Sequence, residues 1–237
     1  MNNSGADLFK AALKYSFPVF LGYITIGIAF GLVVVEAGCP WWIALLTSVV
    51  MYAGAGQFIA IGLFASGAAL PVCVLVQLVV NARHMAYGLT MRKHFAGAGP
   101  LKWYLVFSLS DETFALLSSM SDDVVSREKR PRFMALVSLL DQLYWIAGAL
   151  TGALAGRLIP YNTEGVGFAL TALFVVLMIE QILRVKKPAL FIIPASAAAL
   201  CVIFLPSNLS LLAAMAFSLA AVQFFHVDAE KKEAAHA

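Results

Sequence analysis

The chain has 237 residues, of which 62% are apolar and only 12% charged, and its mean hydropathy is +0.88. A soluble domain carries about 25% charged residues, so this composition excludes an ordinary soluble enzyme and predicts an all-α polytopic membrane protein in a lipid bilayer. The net charge of +3 does not indicate nucleic-acid binding, because the basic residues fall between apolar segments.

Eight apolar segments of helical length follow a polar lead-in at residues 1–15. We expect one transmembrane transport domain over residues 16–225 and a polar cytoplasmic tail at 226–237. The predicted spans cover residues 16–35, 41–64, 71–90, 103–120, 133–155, 165–183, 189–205 and 208–225.

Spans 2 and 4 carry signals of interruption. Gly54 and Gly56 lie near the centre of span 2, and glycine costs roughly 1 kcal/mol against alanine in a helix interior. Span 4 has serines and carboxylates at its centre. We expect one or two helices to be broken or re-entrant, as in transporter binding sites. A shared order of proline, apolar run and glycine-rich segment in the two halves also hints at an internal repeat.

Loop charges favour a cytoplasmic location for both termini. Eight full crossings is the preferred interpretation, but it places Arg92, Lys93 and Lys102 outside. The alternative keeps the same helical material with six full crossings. In that arrangement spans 2 and 3 together cross once, span 4 is re-entrant, and the three positive charges return to the cytoplasmic side.

Arg83 and His84 follow an apolar run, residues 71–80, whose single polar side chain is Gln77. A charge at such depth costs at least about 2.5–3.5 kcal/mol on insertion scales, so it requires an acidic partner, a water-filled cavity or a substrate carboxylate. Histidine changes charge near neutral pH, which suits proton coupling. The alternative is that Arg83 only snorkels to the interface.

Asp111 and Glu112 lie at the centre of span 4. Adjacent helical residues point about 100° apart, so these carboxylates cannot face one partner. One can pair with Arg83 while the other meets a substrate ammonium or a proton. The alternative is a surface helix on which both are solvated.

Two further polar sites lie in apolar spans: Asp141 with Gln142 in span 5, and Tyr52 with Gln57 beside the glycines of span 2. Each either serves transport or only joins helices by hydrogen bonds. Glycines at four-residue steps in spans 1 and 5 indicate close helix packing, within the chain, in a homodimer or with a small partner subunit. They are Gly27, Gly31, Gly148, Gly152 and Gly156.

Enzyme signatures are absent from the sequence: it contains no G-x-S-x-G, H-E-x-x-H, P-loop or C-x-x-C motif. Cys39, Cys73 and Cys201 are scattered and show no metal-ligand spacing. We therefore expect a protein that is not an enzyme and that has no metal or other cofactor.

Four motifs follow one another along the chain: Tyr52-Ala-Gly-x-x-Gln57-Phe58, Asn81-x-Arg83-His84-x-x-Tyr87-Gly88-Leu89, Asp111-Glu112-x-Phe114-Ala115 and Tyr144-Trp145-x-x-Gly148. With this order and spacing, the chain resembles the AzlC/YgaZ family over residues 17–225. The resemblance implies the large subunit of a branched-chain amino acid exporter in the bacterial inner membrane. It also implies secondary transport driven by protons and a separate small membrane subunit of the AzlD or YgaH type. Family substrates are valine, leucine and isoleucine, with methionine in some members.

An exporter of this kind must hold a zwitterion with an apolar tail. The expected substrate-binding residues are Tyr52, Gly54, Gly56, Gln57, Asn81, Arg83 and Trp145. The expected proton-coupling residues are His84, Asp111, Glu112 and Asp141. An uncoupled channel for small amino acids and a non-transporting scaffold subunit are the alternatives.

Overall fold

The computed structural model describes residues 5–121, 123–158 and 189–204, with a few isolated positions between 175 and 217. Secondary structure in these ranges is helical and includes no strand, which confirms the predicted all-α fold. The chain divides into two compact units, Met1–Ala169 and Leu170–Ala237. Predicted spans 6 and 8 and the tail at 226–237 lie essentially outside the described residues, so only part of the predicted repeat is described.

The first unit contains seven described helices: α1 (Gly5–Glu36), α2 (Trp42–Val50), α3 (Gly54–Ala65), α4 (Leu70–Met91), α5 (Leu101–Phe107), α6 (Asp111–Ser118) and α7 (Arg130–Leu158). In the second unit, α8 (Ala189–Phe204) matches predicted span 7. Within the described ranges, α1, α4 and α7 are long and apolar enough to cross a membrane. Because α1 begins at Gly5, the predicted lead-in continues directly into the first span.

Helices α1 and α7 pack in parallel through their glycines. A Cβ added to Gly148 would lie 2.8 Å from the carbonyl oxygen of Ile24, and one added to Gly31 or Gly152 would overlap the backbone of the other helix. Such contact between backbones requires residues without side chains at the crossing. Of the three uses left open for the glycine stripes, the structure shows packing within the chain.

Helices α2 and α3 form a hairpin rather than one span. The Gln57 side-chain amide donates to Thr47 Oγ1 at 3.1 Å and Ser48 Oγ at 3.3 Å, so the two helices are antiparallel. Helix α3 then returns beside α4, where Gln77 Nε2 donates to the Gly56 carbonyl at 2.9 Å. The helix is broken at residues 51–53, whereas the glycines expected to break it lie in the first turn of α3. Tyr52, at the break, has φ +40°.

Helices α5 and α6 form a second hairpin, which enters from the other end of the unit. One apolar cluster joins the loops on both sides of this hairpin to the first turns of α1 and α7, through Leu8, Phe95, Met120 and Phe133. Ser110 begins α6 as its N-cap, accepting the Thr113 N–H at 3.1 Å. We call this end of the unit the basic end, because its loops contain Arg92, Lys93, Arg127 and Lys129 and α7 begins there with Arg130.

Eight full crossings is therefore the wrong arrangement. Spans 2 and 4 are both hairpins: span 4 starts and finishes at the basic end, and span 2 starts and finishes at the opposite end. The physical reason is length, since α2 and α3 have 9 and 12 residues and extend only about 14 and 18 Å. The hydrocarbon core is about 30 Å thick. Helix α1 is followed by a hairpin from the opposite end and α4 by a hairpin from the basic end, which is an inverted order of the kind found in transporters.

Candidate functional site

The tips of the two hairpins meet beside α4 and border an open cavity of about 660 Å³. It is lined by Met51, Tyr52, Ala53, Asn81, His84, Met85, Gly88, Leu89, Val106, Phe107 and Leu109. A groove of about 510 Å³ between α3 and α4 shares Met51, Asn81 and Met85 with it, so the two spaces adjoin. Cavities of 300–1,000 Å³ that combine apolar walls with a few polar groups are typical of small-molecule sites.

Arg83 on α4 is paired with Asp111 on α6. Arg83 Nη1 lies 2.7 Å from Asp111 Oδ2, and the Tyr87 hydroxyl donates to Asp111 Oδ1 at 2.7 Å. The two side chains are 35% and 29% exposed, while Arg83 Nε is buried and makes no hydrogen bond. The predicted acidic partner of Arg83 is present, which accounts for a charge at this depth.

His84 occupies the wall of the cavity beside this pair. Its ring packs edge-on against Tyr87, with centroids 5.8 Å apart, and Tyr87 stacks on Phe114 at 4.4 Å. Aromatic contacts therefore connect α4 to α6 around Asp111. His84 therefore lines the cavity, whereas the neighbouring Arg83–Asp111 pair is not among the lining residues.

Glu112 and Asp141 lie on the other side of α6, joined by hydroxyl groups. The Tyr23 hydroxyl lies 2.7 Å from Glu112 Oε2 and 2.5 Å from Ser110 Oγ. Ser110 Oγ lies 3.0 Å from Thr113 Oγ1, which donates to Asp141 Oδ2 at 2.8 Å. Adjacent carboxylates thus have separate partners, as helical geometry requires.

Several polar atoms next to these hydroxyl groups are buried without a hydrogen-bond partner: Tyr52 Oη, Ser138 Oγ, Asp141 Oδ1 and Trp145 Nε1. The Tyr52 hydroxyl is near Tyr23 and Thr113 but does not reach hydrogen-bonding geometry with either. Native proteins leave few buried polar groups unpaired, so such a concentration indicates a place where a ligand or proton binds.

Gln142, next to Asp141, has a structural role. Its side chain accepts the Tyr104 hydroxyl at 2.9 Å and donates to the Val49 carbonyl at 3.4 Å. The last carbonyls of a helix lack partners within it, so Gln142 stabilises the broken end of α2. This agrees with the alternative of an interhelical hydrogen bond.

Four predicted binding residues lie behind the cavity wall. Gln57 points into the first hairpin, and Trp145 packs on Gly54 and on the Tyr23 ring, 5.4 Å away. Gly56 lies against Asn81, whose amide oxygen a Cβ at this glycine would approach to 2.9 Å. Of the seven substrate-binding predictions, only Tyr52 and Asn81 line the cavity, and Arg83 is instead paired with Asp111 outside the lining.

Tyr23, Ser110, Thr113 and Tyr104 were not among the predicted site residues. Ser110 and Thr113 could be seen in the sequence as polar residues near the centre of the apolar span 4. Tyr23 and Tyr104 gave no signal, because a single tyrosine in a membrane helix is ordinary.

A family model described as "AzlC protein" matches residues 18–159, more than half of the chain. The chain belongs to the AzlC family. This AzlC-family membrane protein is 38% identical over 180 residues to the "Branched-chain amino acid transport protein AzlC" of Bacillus subtilis, covering 76% of this chain and 70% of the relative.

Two other relatives extend the similarity. An "Uncharacterized membrane protein" of Helicobacter pylori is 36% identical over 225 residues, covering 94% of this chain and 96% of the relative. The "Inner membrane protein YgaZ" of Escherichia coli is 27% identical over 190 residues, 76% of each chain. No solved structure matches the chain. The family resemblance seen in the sequence motifs is confirmed.

Proposed function

We propose that this AzlC-family protein is a secondary transporter that exports valine, leucine, isoleucine and methionine across the bacterial inner membrane, coupled to protons. It acts with a small AzlD- or YgaH-like membrane subunit. The observation that carries the proposal is the cavity between the hairpin tips, whose apolar walls include the polar side chains of Asn81 and His84 on α4, the helix that also carries the Arg83–Asp111 pair. Support for the substrate class comes from the printed name of the Bacillus subtilis relative.

The ion pair suits a zwitterion. Arg83 offers its guanidinium to the substrate carboxylate, and Asp111 is freed to accept the ammonium as the two partners exchange. Asn81 Oδ1 is buried without a partner and lies at the cavity, so it supplies a further acceptor for the ammonium.

The apolar walls suit a branched side chain. Met51, Met85, Val106 and Phe107 border the same cavity as Asn81 and His84. Methionine side chains adapt their shape to different ligands, which fits a site that accepts several aliphatic amino acids. Tyr52, Gly54, Gly56, Gln57 and Trp145 are proposed to hold the first hairpin in position for binding.

Charge distribution favours the basic end as the cytoplasmic side. The described loops at that end and the first residue of α7 carry Arg92, Lys93, Arg127, Lys129 and Arg130, whereas Arg157 is the one basic residue in the described part of the opposite end. The cavity follows α4 from Asn81 to Leu89, the half nearer the basic end. A substrate would therefore enter from the cytoplasm, the direction that export requires. Both termini are proposed to be cytoplasmic.

The test is efflux of labelled valine from bacteria preloaded with a valine dipeptide. Cells express this chain alone, this chain with an AzlD-like subunit, or neither. Efflux that requires both chains and stops on addition of a proton uncoupler is expected. Efflux that persists with the uncoupler and never moves valine against its concentration gradient would instead identify a channel.

A further inference from the structure

The hydroxyl chain between Glu112 and Asp141 has the composition of a proton wire. Three hydroxyl groups, from Tyr23, Ser110 and Thr113, separate the two carboxyls, and each contact between neighbours is 3.0 Å or shorter. We propose that these five groups form a proton relay that shares one proton between Glu112 and Asp141. The inference deepens the proposed function and rests on it, because the relay would be the path of the coupling proton.

The proton balance of the relay closes without any other reactant. With the proton on Glu112, each group donates to the next, ending with the Thr113 hydroxyl donating to Asp141 Oδ2 at 2.8 Å, as observed. Four protons then shift together by one hydrogen bond each. One O–H bond breaks on Glu112, one forms on Asp141, and every hydroxyl loses one proton and gains another. As a result, one proton has passed from Glu112 to Asp141, and every hydrogen bond of the relay has exchanged its donor and its acceptor.

Ser110 can pass a proton toward either carboxyl group, because its hydroxyl is fully hydrogen-bonded whichever carboxyl holds the proton. Its oxygen accepts the Thr113 backbone N–H at 3.1 Å in either state. The remaining lone pair and the hydroxyl proton then face Tyr23 and Thr113, and reversing the chain exchanges their roles. A hydroxyl has one donor and two acceptor positions, all of which are used.

Asp141 supplies the independent observation that a proton binds here. Its side chain is fully buried, Oδ1 has no hydrogen-bond partner, and no cation pairs with it in residues 5–121 and 123–158. Ser138 Oγ, one turn earlier on α7, is also buried and unpaired. An isolated carboxylate in this setting costs much free energy, and binding a proton removes that cost.

The titratable groups around the relay come from every element packed against it. Tyr52 faces it from the first hairpin and Tyr104 from α5. The Arg83–Asp111 pair lies close enough to Glu112 to act on its charge. Because that pair is proposed to open when substrate binds, substrate binding would change the field on Glu112 and move the shared proton toward or away from Asp141.

Infrared absorption of the purified full chain tests the relay without any substrate. The proposal predicts a carboxylic acid C=O band at neutral pH that disappears in the Glu112→Gln/Asp141→Asn double variant and persists in Asp111→Asn. A wild-type protein without the band, or a band that survives in the double variant, would overturn the relay. Thermal unfolding of each variant checks that it is folded.

Transport by the full chain with its small subunit in proteoliposomes tests the coupling. Thr113→Val, which replaces the hydroxyl next to Asp141 with a methyl group, is expected to abolish leucine-driven proton movement while leucine counterflow continues. Thr113→Ser should restore proton movement, and Thr151→Val, at an exposed threonine of α7, is the matched control.

Two results would contradict the relay in this assay. Proton movement in Thr113→Val equal to that of Thr151→Val is one, and leucine transport that requires Na⁺ and moves no proton is the other. Absence of leucine counterflow in the wild type would instead reject the proposed function, and the infrared result would then decide the relay by itself.

Discussion

The guanidinium of Arg83 on α4 lies 2.7 Å from the carboxylate of Asp111, the first residue of α6. This pair connects a helix long enough to cross the membrane to the tip of the second hairpin. A substrate that separates the two groups would therefore also loosen the hairpin. The pair is proposed to bind the zwitterion and to sense its presence.

Replacing Arg83 with glutamine is expected to abolish export and lower stability, since Asp111 is left without its cation. The double variant Arg83→Gln/Asp111→Asn should recover much of the melting temperature in detergent, because no unpaired charge remains, but not export. Efflux assays and thermal unfolding measure the two effects. Full export by Arg83→Gln would remove Arg83 from the binding site.

Replacing Gly31 with leucine should prevent α1 and α7 from packing. A Cβ at this position overlaps the backbone of α7, which cannot move aside as a flexible side chain can. Overpacking of a core costs about 1–3 kcal/mol, and more where backbones must separate. The matched control is Gly22→Leu on the same helix, where a Cβ meets nothing within 4 Å. Equal melting temperatures for the two variants would contradict the observed packing.

Replacing Gly56 with alanine is expected to weaken substrate binding more than stability. The new methyl group would approach the Asn81 amide oxygen to 2.9 Å and displace that side chain, which lines the cavity. The half-saturating leucine concentration should rise. Gly62→Ala, in the same helix with open space, serves as the control. If both variants bind leucine equally well, Asn81 does not contact the substrate.

Replacing Tyr52 with phenylalanine separates the folding and transport roles of its hydroxyl. The hydroxyl is buried without a hydrogen bond, so its removal should leave the melting temperature unchanged or higher. A loss of transport together with unchanged stability would show that the substrate uses this hydroxyl. A marked fall in melting temperature would show instead that the hydroxyl supports the fold.

The sequence indicated where helices break but not how the pieces pair. Two closely spaced glycines marked the interruption in span 2 and a cluster of polar residues that in span 4, yet a hairpin and a broken crossing have the same hydropathy. The positive charges of Arg92, Lys93 and Lys102 were the sequence signal for the hairpin arrangement, because they require the second hairpin to start and finish on the basic side.

Predictions for single residues succeeded where chemistry demanded a partner. An arginine after an apolar run requires an acidic partner, a water-filled cavity or a substrate carboxylate, and of the two carboxylates in span 4 the structure pairs Asp111 with Arg83. Tyr23 could not be predicted as part of the carboxyl network, because its position depends on the parallel packing of α1 and α7. Periodicity shows that a glycine stripe packs closely but does not identify the helix it meets.

The most direct test of the central claim is whether a branched-chain amino acid occupies the cavity between the hairpin tips. Gly88→Cys places a thiol on the cavity wall, where a new Cβ meets only Val106 at 3.8 Å, and Gly22→Cys places one on the exposed face of α1. The rate of maleimide labelling of each thiol is measured with and without leucine, with the native cysteines replaced. Leucine should slow labelling at residue 88 and leave residue 22 unchanged. Labelling at residue 88 that is indifferent to saturating leucine would contradict the account.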